Sequence, residues 1–124
     1  IEKQMSFGKR HNTMALKIGQ HCWSYFSIKH SEKKIIEFPA YHKTQVLGAA
    51  KVEKVTKTGK KRYKAINKPA RKKWCINQAL LILEARGDDD TMSQIKTSRK
   101  KDDLCDVICQ LQAFKYLKYV DNSI

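Results

Sequence analysis

Lys100-Lys101-Asp102-Asp103-Leu104-Cys105-Asp106 opens the last helical stretch of the chain and gathers three carboxylates at one helix start. They stand out because the 124-residue sequence carries a formal net charge of +14. The apolar pattern that follows predicts a helix from Asp102 to about Tyr119, with Leu104, Val107, Ile108, Leu111 and Phe114 as its core stripe. On a wheel of 3.6 residues per turn, Asp103, Asp106 and Gln110 lie within about 60° of one another, at the flank of that stripe. A carboxylate there can reach a sheet edge while the helix stays docked, and two such oxygens meeting a third from a strand make a metal site. A second reading needs no catalysis. Acids in a first helical turn are favoured by the macrodipole and by unsatisfied N–H groups, and Asp102 then serves as an N-cap.

The other end of the chain supplies the third acid. Ile1 to Met5 read as the tail of a buried strand, and Glu2 sits on it. A strand acid together with an acid pair on the last helix is the arrangement of a metal-dependent nuclease. The surplus of positive charge points to a polyanionic partner, of which nucleic acid is the commonest. The length suits one modest domain. No run of about 18 apolar residues is present, so a membrane span and a membrane partner are not expected. No signal-peptide pattern is visible. The first residue is Ile1, inside a strand pattern, and the sequence reads as a piece of a longer protein.

Between these ends, Gly8-Lys9-Arg10-His11 form a basic loop and Asn12 is a candidate N-cap. A helix is predicted from Asn12 to Phe26, with an apolar arc wide enough to require a sheet and another helix as cover. Lys34 to Phe38 read as a short strand ending at Pro39. Tyr41 to Ala50 fit either a short helix or a loop. From Lys51 to Lys73 cations crowd the sequence against a single acid, Glu53. With Gly59 in its middle, this stretch is a basic hairpin or a mobile loop, and Lys60, Lys61, Arg62, Lys72 and Lys73 are its candidate phosphate contacts. Pro69 suits the first turn of the next helix, which Gly87 closes after Arg86. That helix carries more apolar surface than one sheet covers: Trp74, Leu81 and Ile82 lie outside the face built from Ile76, Ala79, Leu80 and Leu83. The surplus belongs either to a two-fold dimer interface or to burial within the monomer. Residues 87–99 read as a polar linker with a solvated acidic turn at Asp88-Asp89-Asp90.

Cys22, Cys75, Cys105 and Cys109 form no C-x-x-C pair, which argues against a zinc finger. Cys105 and Cys109, one turn apart, fit half a metal site completed by a histidine, or simply small apolar residues of a core. Reduced thiols fit an intracellular compartment.

Read together, Ile1-Glu2-Lys3-Gln4, the basic loop, Asn12-Thr13-Met14-Ala15-Leu16-Lys17-Ile18-Gly19-Gln20 and the final Asp102-Asp103-Leu104-Cys105-Asp106 resemble RuvC-like Holliday-junction resolvases. The viral branch, of the poxvirus resolvase type, is the most similar. The resemblance runs from Ile1 to about Lys118 and is loose over the basic stretch. It implies an α/β ribonuclease-H-like fold, a mixed sheet flanked by helices. Residues 1–124 would form one incomplete domain of that kind, with the basic loop or hairpin at about 51–68. It also implies a homodimer that hydrolyses phosphodiester bonds at four-way junctions in double-stranded DNA, using magnesium, with manganese as a possible substitute. If the protein is viral, its place is the site of viral DNA replication.

Carried over residue by residue, Glu2, Asp103 and Asp106 match catalytic metal-holding acids. Lys43 resembles a lysine that approaches the site, and Arg71-Lys72-Lys73 resemble a basic cluster before the penultimate helix. Lys9 and Arg10, with Lys60, Lys61 and Arg62, complete the expected nucleic-acid-binding set. One departure is plain: the first catalytic aspartate of the family lies on a first strand that this sequence lacks. Three of four expected carboxylates remain, and the isolated chain is expected to be poorly stable and unable to cleave alone. The rival expectation is a basic nucleic-acid-binding module without catalysis, derived from a nuclease.

Overall fold

Asn12 begins the first helix by the mechanism its position suggests: its Oδ1 accepts the Ala15 N–H at 3.1 Å. The structure is a computed structural model and describes residues 1–6, 8 and 11–124. Helix α1 runs over Thr13–Lys29 between two short strands, β1 (Glu2–Lys3) and β2 (Phe38–Pro39). The strands pair in parallel, Glu2 against Phe38 and Lys3 against Pro39. A parallel pair needs a crossover, and α1 lies within that connection. These elements belong to the first of two compact units, Ile1–His42; the second is Lys43–Ile124.

Two expectations for the first unit are corrected. The strand at Glu2–Lys3 is exposed rather than buried, because it has one neighbour in a two-stranded sheet. No α1 residue is buried, and Met14, Ile18, Trp23, Tyr25 and Phe26 of its apolar arc are exposed, since so small a sheet cannot cover them.

Helix α2 spans Tyr41–Val46, so the first part of the stretch from Tyr41 to Ala50 is helical and the remainder is turn and loop, and α2 carries Lys43. The basic stretch forms a hairpin, β3 (Lys51–Val55) antiparallel to β4 (Lys61–Ala65). Its turn is closed by the Gly59 N–H donating to the Thr56 carbonyl at 2.9 Å, with Gly59 at φ +75°. That left-handed residue after a tight turn is what a three-residue hairpin loop requires.

Helix α3 (Lys68–Arg86) starts at Asn67, whose Oδ1 accepts the Ala70 N–H at 2.9 Å. It ends at Gly87, φ +66°, with the Gly87 N–H on the Glu84 carbonyl and the Asp88 N–H on the Leu83 carbonyl, both at 3.0 Å. This is the paired closure of a Schellman motif. Asp88 then caps the next helix at once: its carboxylate accepts the Thr91 N–H at 3.1 Å and the Thr91 hydroxyl at 2.7 Å. The expected polar linker over 87–99 is therefore corrected to a helix, α4 (Asp89–Thr97). Asp89 and Asp90 favour its positive end, while Met92 and Ile95, three residues apart, reach the core.

The last helix, α5 (Lys101–Tyr119), lies where expected but shows the opposite face to the core. Cys105 and Cys109 are fully buried against Cys75, Ala79 and Leu83 of α3 and Ile95 of α4, and Ala113, one turn further along α5, is fully buried as well. Leu104, Val107 and Leu111 of the predicted stripe are exposed, at 45%, 57% and 62%, and of that stripe Ile108 packs at the core's edge. Small residues every fourth position let two helices approach closely; the larger leucines would hold them apart. Asp102 is not the N-cap either: the cap position is Lys100, and Asp102 lies inside the first turn. On α3, Trp74 and Ile82 pack against this core, which leaves Leu81 as the exposed member of the predicted surplus. The chain is thus a mixed α/β protein with two small sheets and a helical core in its second unit.

Candidate functional site

The reversed docking of α5 decides where its acids go. Asp102, Asp106, Cys109 and Ala113 follow one another at intervals of four, three and four residues, so the acids share the helix face that meets α3. On α3 the buried run Cys75-Ala79-Leu83 extends backward through Arg71, Lys72 and Lys68. The two helix faces therefore bring carboxylates and cations together at one end of the core. There Lys43, Lys68, Arg71, Lys72, Cys75, Asp102, Asp103 and Asp106 line a pocket of about 300 Å³.

Asp106 is the most heavily partnered of these acids. Its Oδ1 accepts from the Lys43 ammonium and, at 3.5 Å, from the Cys75 thiol; its Oδ2 accepts from Gln110 Nε2 at 3.3 Å. Lys43 is buried, with only 11% of its side chain exposed, and is the buried charged residue among those described. A lysine so placed needs a paired carboxylate, because an unpaired buried ammonium is costly. Asp102 Oδ2 accepts from Lys72 Nζ at 2.5 Å. That bond holds the Asp102 carboxyl below the usual carboxylate range and the Lys72 ammonium above the usual lysine range. Asp103 is exposed on the pocket lining and makes no ion pair among the described residues.

The thiols behind the acids form part of the core. A hydrogen bond with Cys109 and burial push the Cys75 thiol well above its ordinary range, and burial pushes Cys105 up. Of the two readings of Cys105 and Cys109, the structure favours the apolar one: both are fully buried and free. Among the described residues no group of three or more His, Cys, Asp or Glu side chains is placed to hold a metal ion.

The remaining expected residues belong to other elements or do not line this pocket. Glu2 is exposed on β1 in the first unit, where its Oε1 accepts from Gln4 Nε2 at 3.1 Å. Lys60, Lys61 and Arg62 belong to the hairpin, and Lys73 is exposed on α3. Lys9 and Arg10 lie outside the described residues. Lys68 and Cys75 were not among the residues singled out by sequence. The signal for both was available: Lys68, Arg71, Lys72 and Cys75 share one helical face through spacings of three and four.

The chain is 46% identical, over 94% of its length, to uncharacterized protein 170L of Invertebrate iridescent virus 6. It is 30% identical, over 93% of its length, to uncharacterized protein 97L of Invertebrate iridescent virus 3. It covers 49% and 46% of those proteins, so the chain spans about half the length of the curated relatives it matches. No family model matches the chain, and no solved structure matches it. Among the described residues no helix is long and apolar enough to cross a membrane.

Proposed function

We propose that the chain belongs to a magnesium-dependent endonuclease with a RuvC-like, ribonuclease-H-like fold that resolves four-way DNA junctions. The observation that carries the reading is the pocket in which Asp102, Asp103 and Asp106 meet Lys43, Lys68, Arg71 and Lys72. Phosphodiester hydrolysis asks for both signs of charge at one place: oxygen donors for a hard cation, and cations to draw a phosphate toward them.

The donor chemistry fits magnesium, which prefers carboxylate oxygens. Asp103 and Asp106 are the residues that would hold it. When bound, magnesium supplies an activated water and stabilises charge on the leaving oxygen. The chain's own residues do the rest. Lys43, Cys75 and Gln110 fix the orientation of Asp106. Asp103 faces the pocket unpaired, and Lys68 and Arg71 attract the phosphate. Lys72 is tied to Asp102 and keeps that carboxylate from competing for the cation. The protein acts as a homodimer matching the two-fold symmetry of a junction, where viral DNA is replicated.

A non-catalytic nucleic-acid-binding module is the second reading. It is favoured by the lysines already seated on two of the three acids, and by the lack of a metal-holding group among the described residues. Asp103→Asn and Asp106→Asn separate the two readings in a protein extended to the relatives' full length. Both substitutions keep side-chain shape and remove charge, and because Asp106→Asn leaves the buried Lys43 ammonium unpaired, thermal melting of each variant is measured beside activity. The nuclease reading expects magnesium-dependent junction cleavage in the parent and its loss in both variants, with junction binding retained. A parent that binds junctions and never cuts them sinks it.

A further inference from the structure

The β3–β4 hairpin has two chemically different faces. Residues opposite one another in an antiparallel pair point to the same side, and successive pairs alternate. The register Val52 with Lys64 and Lys54 with Arg62 therefore puts Lys54, Arg62 and Lys64 on one face. The pairs Lys51 with Ala65, Glu53 with Tyr63 and Val55 with Lys61 occupy the other. The hairpin's one acid sits on that second face, with Glu53 Oε1 3.1 Å from Lys61 Nζ.

On the first face nothing offsets the charge. Among the described residues neither Lys54, Arg62 nor Lys64 makes an ion pair. Lys54 and Arg62 stand directly opposite each other, a like-charge pairing that destabilises a hairpin. Both strands are exposed throughout, so packing does not compensate. A local conflict of this kind is expected where a ligand of opposite charge completes the arrangement.

We infer that the face formed by Lys54, Arg62 and Lys64 binds the phosphate backbone of duplex DNA, the hairpin lying along a groove. A two-stranded ribbon has the dimensions of the major groove. Arg62 presents a planar fork suited to a phosphate, and Lys64 follows it on the same strand by two residues, roughly 7 Å. Lys61, engaged with Glu53, faces away. Contacts of this type position the duplex without reading its sequence. The choice of DNA rests on the proposed junction reading; the binding face itself does not depend on the acids.

The test compares two triple variants that remove equal charge, Lys54→Gln/Arg62→Gln/Lys64→Gln from the first face and Lys51→Gln/Lys57→Gln/Lys61→Gln from the second face and the turn. Binding to a linear DNA duplex, a four-way DNA junction and an RNA duplex of equal length is measured without magnesium across a salt series. The first variant is expected to flatten the slope of log K against log salt on DNA by about 2–3, at roughly 0.9 per lost phosphate contact. The second leaves the slope near its parental value. Thermal melting of the free first variant is expected to be unchanged or higher, since a repulsion has been removed. Equal effects of the two variants, or no effect of the first, overturn the proposal, and tighter binding of RNA overturns the assignment to DNA. Magnesium-dependent cleavage by the parent is read separately. If the face-specific slope change persists without cleavage, only the nuclease reading fails; if cleavage persists without it, only this inference fails.

Discussion

The packing of α5 leads to a pair of substitutions whose effects should run against intuition. Ala113 of α5 is 0% exposed, whereas Leu111, two residues earlier, is 62% exposed. Full burial of a leucine is worth about 1.5–3 kcal/mol, so a side chain with roughly a third of its surface covered contributes below about 1 kcal/mol. Leu111→Ala should therefore be mild. Ala113→Leu must fit three more carbon atoms at a position that has no exposed surface, one turn beyond the fully buried Cys109. Overpacking of that kind costs about 1–3 kcal/mol. The assay is urea unfolding of the 124-residue chain, followed by the fluorescence of Trp23 and Trp74 and read as a midpoint shift at constant slope. A large loss from Leu111→Ala with Ala113→Leu tolerated would refute the packing. It would show instead that the leucine stripe faces the core.

Further perturbations test the joints around the site. Asp88→Ala removes the acceptor for both Thr91 groups and should lower the midpoint of the same unfolding. Gly87→Ala meets no atom within 4 Å, so its cost, about 1–2 kcal/mol, is that of a left-handed backbone alone; Gly87→Asn should cost less. The Lys72–Asp102 pair gives a signed pH dependence. Because the Asp102 carboxyl is held below its ordinary value, its contribution is complete above that value and is lost as pH falls through the depressed one. Lys72, held above its ordinary value, keeps its contribution below that value and loses it as pH rises through the raised one. The midpoint difference between parent and Lys72→Gln should thus be flat from about pH 5 to 9 and shrink beyond both ends.

Local chemistry made much of the fold legible. Asn12, Pro69 with Gly87, and Gly59 each mark a boundary through a specific backbone requirement, and each element starts or stops there. What the sequence concealed depended on tertiary choice. Helix α4 was hidden because three aspartates look like a solvated turn until Asp88 is seen capping and Ile95 is seen buried. The face of α5 was misread because leucine and valine outrank cysteine and alanine on any hydrophobic scale, whereas close helix contact selects for small size. The same turn of α5 brings Asp102 to Lys72 and Asp106 to Cys75, contacts that the leucine-facing docking would not make. Lys43 shows the converse limit, since nothing local in Tyr41–Val46 says that its ammonium is buried on an acid 63 residues later.

The central claim is that the acids beside these cations cut branched DNA. The most direct measurement is end-labelled cleavage, in magnesium, of a four-way junction and a linear duplex of the same sequence, by the protein at its relatives' full length. Paired nicks are expected near the branch point of the junction, with the linear duplex intact and no nicks in Asp106→Asn. Nicking that persists in Asp106→Asn, or a junction bound tightly and left whole by the parent, would contradict the claim.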